Sequence, residues 1–390
     1  MLQGVFWSHC VRVGIDGLHL FGDYAGVKGS VASLVAALRR HFPSDEVYLY
    51  VPRDFKGPPE KNGDAGLVIR KTWFKGSWRT IRTIWRNFRL QPRIYRDRCD
   101  LMHGPVYALP GAVSKPAVVT IHDVIPFSHP LFCTPGSARV QKQSIPRSAK
   151  AARRIIVPSL ATKEELLRYI KDVSAEKIDV IPWGVDERFA PLDDKARREE
   201  ARRALSLPEQ YVLFVGNIEP KKNLPLLIQA FFAARMNKKL PHKLVIAGQK
   251  GWKMDGLEKL IRELNAREYV LFTGYVPPAA LPALYSLADL FVMPSVIEGF
   301  GMPVLEAMGC GCPVLVSSDA ALQEVAGSAA RVVKYDGQHP NQPLRQAIEE
   351  VLTDERQRAD LRQRGIERAK LFSWERTARL TRETYEKALR

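Results

Sequence analysis

Short apolar runs rich in Val, Ile, Leu and Phe alternate along this chain with longer stretches in which apolar residues recur every three or four positions. Compact apolar runs closed by Gly, Pro or Ser predict strands buried on both faces, and the 3.6-residue recurrence predicts helices between them. That alternation belongs to parallel sheets covered by helices on both sides. In the second half it predicts five strands, at Tyr211 to Val215, Leu244 to Ala247, Val270 to Phe272, Leu290 to Met293 and Val314 to Val316. The first half is looser, with strands expected at Val11 to Ile15, Val47 to Val51, Val118 to Ile121, Ile155 to Val157 and Val180 to Ile181. Pro, Gly and charge take over from Pro182 to Arg203, so the halves divide there. We expect two doubly wound, Rossmann-like α/β domains, residues 1–185 and 186–370, then a segment 371–390 whose helix from Trp374 packs back on the first domain. Ligands of open α/β sheets bind beyond the carboxyl ends of the strands, so two such domains facing across a cleft would carry one half-site each.

Composition narrows the class. With 46% hydrophobic residues in 390, the chain can build two cores, and no apolar run reaches the ~18 residues that span a bilayer. The opening residues MLQGVFWSHC lack the charged start and long apolar centre of a signal peptide, which leads us to expect a cytoplasmic protein. Five scattered cysteines without paired zinc-ligand spacing read as buried free thiols. The net charge of +17 calls for an anionic partner: phosphate, nucleic acid or a membrane surface. No zinc-finger spacing or aromatic RNA-binding signature supports a specific nucleic-acid partner.

One segment concentrates the charge. A helix over Lys71 to Leu90 would set Phe74, Trp78, Ile81, Ile84, Trp85 and Phe88 in one stripe, beside a basic face of Lys75, Arg79, Arg82, Arg86 and Arg89. Such a face suits an anionic membrane, where each basic residue contributes ~1 kcal/mol, or a phosphate-bearing acceptor; the stripe suits a sheet-packing helix equally well.

The candidate chemistry lies at predicted strand ends. Glu298-Gly-Phe-Gly-Met-Pro-Val-Leu-Glu306 holds two carboxylates around a helix start, with Pro303 suited to the first helical position and the amides of Gly299, Phe300 and Gly301 available to an anion. After the strand ending at Val215 comes Gly216-Asn-Ile-Glu-Pro-Lys-Lys-Asn223, where Lys222, with Lys221 beside it, could neutralise a leaving diphosphate. Thr120-Ile-His122-Asp123 puts an imidazole on a strand-end loop, in reach of hydrogen-bonding or acid–base work. The loop Tyr24-Ala-Gly26-Val-Lys-Gly-Ser30 could bring backbone amides to phosphate. There is no Gly-x-Gly-x-x-Gly, Asp-x-Asp, Gly-x-Ser-x-Gly, Walker or His-Glu-x-x-His motif, which argues against nicotinamide, P-loop, serine-hydrolase and metal-dependent routes.

Taken in order, His122-Asp123, Pro182-x-Gly-Val-Asp186, Glu219-Pro-Lys-Lys-Asn223 and Glu298-Gly-Phe-Gly-Met-Pro…Glu306 resemble the retaining glycosyltransferases of family 4, with the GT-B fold, over nearly the whole chain. Similar too are Ile155-Ile-Val-Pro-Ser159, Phe272-Thr-Gly-Tyr-Val276 and Glu324-Val-Ala-Gly327. The resemblance implies a nucleotide-diphosphate sugar bound by the second domain and an acceptor bound by the first. By that likeness Glu306 accepts hydrogen bonds from the ribose, Glu298 touches the donor sugar, Lys222 holds the diphosphate, Gly26 approaches it, and His122 contacts the sugar near the reacting centre. Gly216, Lys221, Gly299, Phe300 and Gly301 complete the donor site. The family further implies metal-free, front-face transfer without a cofactor. The Glu-Pro-Lys-Lys-Asn form looks most like bacterial mannosyltransferases of surface-polysaccharide assembly, hence GDP-mannose as donor and a lipid-linked or lipopolysaccharide acceptor at the cytosolic membrane face. Asn217 and Trp183 depart from the family's usual Arg and Asn. Two other classes fit parts of this pattern: an epimerase or phosphorylase on the same fold, and a non-catalytic basic module binding membrane or nucleic acid.

Overall fold

Two parallel sheets organise the molecule, each the core of its own compact unit. The computed structural model describes residues 10–21, 26–57, 66–249, 255–335 and 340–390. The first unit comprises Met1–Gly184 and Trp374–Arg390, the second Val185–Ser373.

The first sheet has seven strands, β1 (Arg12–Asp16), β2 (Glu46–Val51), β3 (Leu67–Lys71), β4 (Leu101–Gly104), β5 (Ala117–Thr120), β6 (Arg154–Val157) and β7 (Ile178–Val180), in the order β3-β2-β1-β4-β5-β6-β7. Every pairing is parallel. β4 and β5 are buried at every position, as strands covered on both faces must be. The second sheet has six parallel strands, β8 (Tyr211–Val215), β9 (Lys243–Ala247), β10 (Val270–Gly274), β11 (Leu290–Met293), β12 (Val314–Ser317) and β13 (Arg331–Val333), in the order β10-β9-β8-β11-β12-β13. β3, β4 and β13 are additions to the five strands expected in each half.

In both sheets the strand order reverses beside the first strand, between β1 and β4 and between β8 and β11. There the connections leave in opposite directions and open a crevice at the carboxyl edge, the usual ligand position of doubly wound sheets.

The basic segment differs from the single amphipathic helix predicted for it. β3 runs to Lys71, an irregular stretch follows, and the helix begins only at Arg79. After Trp85 the chain widens into a π-helical turn, Arg86–Leu90, before Gln91–Arg96 resumes the α form. Pro92 lacks the N–H that would bond to the Phe88 carbonyl, and its ring crowds that carbonyl, so the turn before it expands. The expected stripe therefore splits. Phe74, Trp85 and Arg86 are buried, whereas Trp78, Ile84 and Phe88 are exposed. Trp85 and Arg86 are thus core residues and drop out of the proposed docking face. Phe74 and Trp85 pack edge to face at 6.0 Å under the sheet.

The helix Trp374–Leu389 completes the first unit, lying on the Val27–His41 helix. Its Arg382, 1% exposed, forms an ion pair with the buried Asp45, and its Tyr385 hydroxyl lies 2.8 Å from His103 Nδ1 in β4. Cys99, Cys310 and Cys312 are buried thiols, but Cys10 is exposed and Cys133 half-buried. Among the described residues no helix is long and apolar enough to cross a membrane.

Candidate active site

The two loops at the reversal point of the second sheet carry most of the predicted donor residues. The first leaves β8 through Gly216, whose φ of 153° suits glycine. Gly248, which follows β9, takes a φ of 150°, and a Cβ there would sit 1.9 Å from the Gly216 carbonyl oxygen. Only glycine permits that approach. The loop then tightens into a 3₁₀ turn, Pro220–Lys222, and Asn223 in the left-handed region leads into the Leu224–Lys238 helix. Asparagine is among the few side chains that enter that region readily.

The second loop leaves β11 and is tied to the first by a hydrogen bond from the Val296 N–H to the Lys221 carbonyl, 2.8 Å. It brings Glu298 between the two lysines, with Lys222 Nζ 2.6 Å from Oε1 and Lys221 Nζ 3.3 Å from Oε2. Burial opposes the charge on Glu298, but the two ammonium groups outweigh it and hold the carboxyl at about 2, against an ordinary 4.5. The three side chains together carry +1. Each carboxylate oxygen can accept more than one hydrogen bond, so Glu298 can still meet sugar hydroxyls.

Gly301 then turns the chain into the helix Met302–Gly309, which begins one residue before Pro303. Its φ of 113° and the Leu322 Cδ2 atom 2.6 Å from any Cβ both require glycine. The loop amides of Gly299, Phe300 and Gly301 therefore precede the positive end of the helix dipole. The Phe300 ring is buried, edge to face with Phe372 at 6.1 Å, and fixes the loop from below.

Glu306 sits one turn into this helix. Tyr285, a residue the sequence reading missed, donates its hydroxyl to Glu306 Oε2 at 2.8 Å. Burial pushes the Glu306 carboxyl up to about 7; the Tyr285 hydrogen bond and the Arg188 charge lower it only in part. Tyr285 is itself fully buried between Phe189, 6.1 Å away, and Phe291, 5.6 Å away. Asp319 is a second unforeseen member. It caps the Ala320–Ala326 helix through the Leu322 N–H at 3.0 Å, and burial with the nearby Glu298 charge raises its carboxyl to about 6.

In the first unit, Gly26 caps the Val27–His41 helix with φ 56° and ψ −126°, and a Cβ there would meet open space. Tyr24 and Ala25 of the same loop lie outside the described residues. His122, beyond β5, is buried, with Nε2 2.8 Å from the Pro105 carbonyl oxygen. A carbonyl only accepts, so Nε2 carries the proton and Nδ1 keeps its lone pair. Burial lowers the imidazole pKa, against the smaller pull of that carbonyl and of Asp123. His122 is therefore a neutral hydrogen-bond acceptor at neutral pH rather than a general acid. Trp183 occupies the position where relatives carry Asn. It is buried between the His122 ring, 5.6 Å away, and Trp374, stacked at 6.2 Å, so it fixes the imidazole plane. Asp123 accepts from the Tyr107 hydroxyl at 2.6 Å and from the Ile125 N–H at 3.1 Å, which spends it on the loop.

Of the basic segment, Arg79 and Arg89 are exposed with Trp78, Arg82 is half-buried, and Arg86 forms an ion pair with Asp16. Among the described residues no group of three or more His, Cys, Asp or Glu stands close enough to hold a metal ion.

Known proteins share this arrangement. Residues 24–189 match the family described as Glycosyltransferase Family 4, and residues 197–368 match Glycosyl transferases group 1. The O-antigen chain mannosyltransferase B of Escherichia coli is 31% identical over 296 residues, 75% of each chain. The serotype-specific mannosyltransferase WbdA of the same organism is 33% identical over 242 residues; the match takes in 60% of this chain but 29% of that longer one. Among solved structures, sucrose-phosphate synthase of Thermosynechococcus elongatus superposes with a TM-score of 0.77 at 21% identity, covering 96% of this chain and 98% of the other. Two Rossmann-like parallel sheets of the GT-B type, both family matches in order and a mannosyltransferase relative covered over three quarters of its length establish that this protein is a glycosyltransferase belonging to family 4, the group 1 glycosyl transferases.

Proposed function

We propose that this glycosyltransferase moves mannose from GDP-mannose, with retention and without a metal ion, to a lipid-linked or polysaccharide acceptor of the O-antigen type. The observation that carries the donor half is the Lys221–Glu298–Lys222 cluster at the reversal point of the second sheet, beside a glycine-capped helix start. A nucleoside diphosphate laid across that helix start meets two ammonium groups and the loop amides at its phosphates, and Glu306 at its ribose. As the bond from the anomeric carbon to the diphosphate oxygen breaks, negative charge grows on that oxygen, and the lysines and amides stabilise it without a Lewis acid.

The acceptor hydroxyl attacks the same face of the anomeric carbon that the diphosphate leaves. Its oxygen forms the new glycosidic bond, and its proton passes to the departing phosphate oxygen. No protein nucleophile enters this scheme. His122 contributes as a neutral acceptor that holds a sugar hydroxyl through Nδ1. The sugar and nucleotide are taken from the E. coli mannosyltransferases, whose names state mannose transfer.

The test is transfer from GDP-mannose, with UDP-glucose as competitor, in the presence of excess EDTA. Mannose transfer that survives chelation and yields the α-anomer supports the reading. Loss on chelation, or the inverted anomer, overturns the metal-free or retaining part respectively.

Peripheral docking on the inner membrane face belongs to the same proposal. From Leu67 to Arg96 the chain has no Asp or Glu, and Trp73, Trp78, Ile84, Phe88 and Tyr95 stand exposed among its cations. With Arg86 buried, the exposed Lys75, Arg79 and Arg89 supply about 3 kcal/mol toward an anionic leaflet, enough for reversible docking. Changing Arg79 and Arg89 to Glu together with Phe88→Ser should release the protein from phosphatidylglycerol vesicles in a flotation assay. Undiminished flotation would refute the docking face.

A further inference from the structure

The first sheet has its own reversal point, between β1 and β4, and a second set of cations converges there. β1 ends at Asp16, and the turn after it carries His19 and Phe21. Arg86 forms an ion pair with Asp16, and its Nη2 lies 3.3 Å from His19 Nδ1. Arg82, one turn earlier on the same helix, lays its guanidinium 5.3 Å from the centre of the Phe21 ring and donates to the Gly76 carbonyl at 2.8 Å. From the helix that Gly26 caps, Lys28 Nζ stands 4.3 Å from the same ring centre and donates to the Phe21 carbonyl at 2.7 Å.

The charges do not balance locally. Asp16 is spent, one oxygen on Arg86 and the other on the Leu18 N–H at 3.0 Å. His19 adds no negative charge: burial first, then the surrounding cations, drive its pKa down to about 3, so the ring is neutral. Three cations thus face one carboxylate. Among the described residues Arg82 has no carboxylate partner, although it is half-buried, and burial with the Arg86 charge beside it lowers its pKa to about 10. Partial burial of a guanidinium opposed only by a carbonyl and a ring is costly, and an arriving anion offsets that cost. The remaining charge of +2 equals that of a phosphate monoester dianion with the sign reversed. The 15-residue helix that Gly26 opens adds amides and a positive dipole end close by.

We infer that Arg82 and Lys28, backed by Arg86, form a phosphoryl-binding subsite at the carboxyl end of β1 that receives a phosphate group of the acceptor. The assignment to the acceptor rests on the reading that the donor diphosphate is held by Lys221 and Lys222 in the second unit. The Arg82 fork supplies directed hydrogen bonds, and Lys28 supplies a point charge from the other element.

The full chain is first saturated with GDP, then titrated with inorganic phosphate by calorimetry. The wild type should bind phosphate under these conditions, and Arg82→Gln should weaken that binding at least tenfold without changing the GDP dissociation constant. Phosphate affinity unchanged by Arg82→Gln overturns the subsite; a parallel loss of GDP affinity overturns its assignment to the acceptor. Should Arg82→Gln fold poorly by circular dichroism, Arg82→Lys, which keeps the charge and loses the fork, must show intermediate phosphate affinity for the inference to stand. Lys222→Gln is the separate control: if it leaves GDP binding intact the donor reading fails, while the Arg82-dependent phosphate titration still decides the present one. Glycerol 3-phosphate and phosphatidic acid vesicles then distinguish the source. Arg82-dependent binding to the first alone assigns a soluble acceptor phosphate, binding to the vesicles assigns a lipid-borne one, and binding to neither refutes the subsite.

Discussion

Glu298 and Glu306 flank one glycine-capped helix start, and their surroundings drive their acidity in opposite directions. Both are shielded from water, and burial alone raises a carboxyl pKa. At Glu298 two lysines reverse the sign and the group stays ionised down to about pH 2. At Glu306 the principal partner is a neutral phenol, and the carboxyl rises to about 7. The difference separates two duties that sequence alone makes look alike. Glu298 belongs to an ion cluster whose members depend on one another, so removing one leaves buried charge unpaired. Glu306 is held by a single neutral donor, and ligand hydroxyls can repay its charging when they arrive.

The largest expected effect follows from that asymmetry. Glu298→Gln should lower unfolding stability at pH 7 by about 3 kcal/mol and transfer activity by at least about a hundredfold. A variant as stable as the wild type in urea titration would dissolve the contrast. Next in size is the acid limb. The Glu298 carboxyl is depressed below its ordinary 4.5, so its stabilising contribution is complete above that pH and is lost as pH falls toward 2. The loss amounts to about 3 kcal/mol. Glu306 runs the other way: the stability conferred by its neutral form is complete below 4.5 and is lost as pH rises through about 7. Urea midpoints measured from pH 3 to 8 should therefore lose their acid slope in Glu298→Gln and part of their neutral slope in Glu306→Gln, and identical curves for the two variants would remove the distinction.

Glu306→Gln should raise the donor KM by about tenfold, the loss of a charged hydrogen-bond acceptor, without lowering stability at pH 8. Steady-state kinetics paired with thermal unfolding check both halves. Smallest is Tyr285→Phe. One net hydrogen bond of about 1 kcal/mol predicts a KM increase of about fivefold and an upward move in the pH midpoint of donor binding, because Glu306 loses the donor that favours its ionised form. A KM change with no movement of the pH profile would assign Tyr285 to packing alone.

Much of this arrangement is legible in sequence because it is local. The strands β8, β9, β11 and β12 are compact apolar runs, and the lysine pair, the two glutamates and Gly301 sit at their ends within recognisable turns. What escaped reading depends on partners distant in the chain. β4 is only Leu-Met-His-Gly, and its buried His103 is satisfied by Thr120 at 2.8 Å and by Tyr385, 282 positions away. Tyr285 reads as one more apolar position on a short helix until its hydroxyl is seen to reach Glu306. Gly248 carries no motif, and its necessity lies in the neighbouring carbonyl of Gly216. The basic segment misled for the opposite reason: its periodicity is real, but Pro92 resets the helical phase, so residues that share a stripe on a regular helix part between core and surface.

The return of the Trp374–Leu389 helix to the first unit has a consequence for synthesis on the ribosome. Asp45 and His103 are made early, yet Arg382 and Tyr385 emerge only after the whole second unit has been translated. At roughly 5–20 residues per second that interval lasts on the order of ten to forty seconds. During it the nascent first unit presents an uncovered face on the Val27–His41 helix and a carboxylate without its guanidinium. The second unit, contiguous in the chain, can finish folding beforehand. Chains stalled after Ser373 should accordingly be cleaved by protease in the first unit and resist it in the second, an order of maturation opposite to the order in which the two are made.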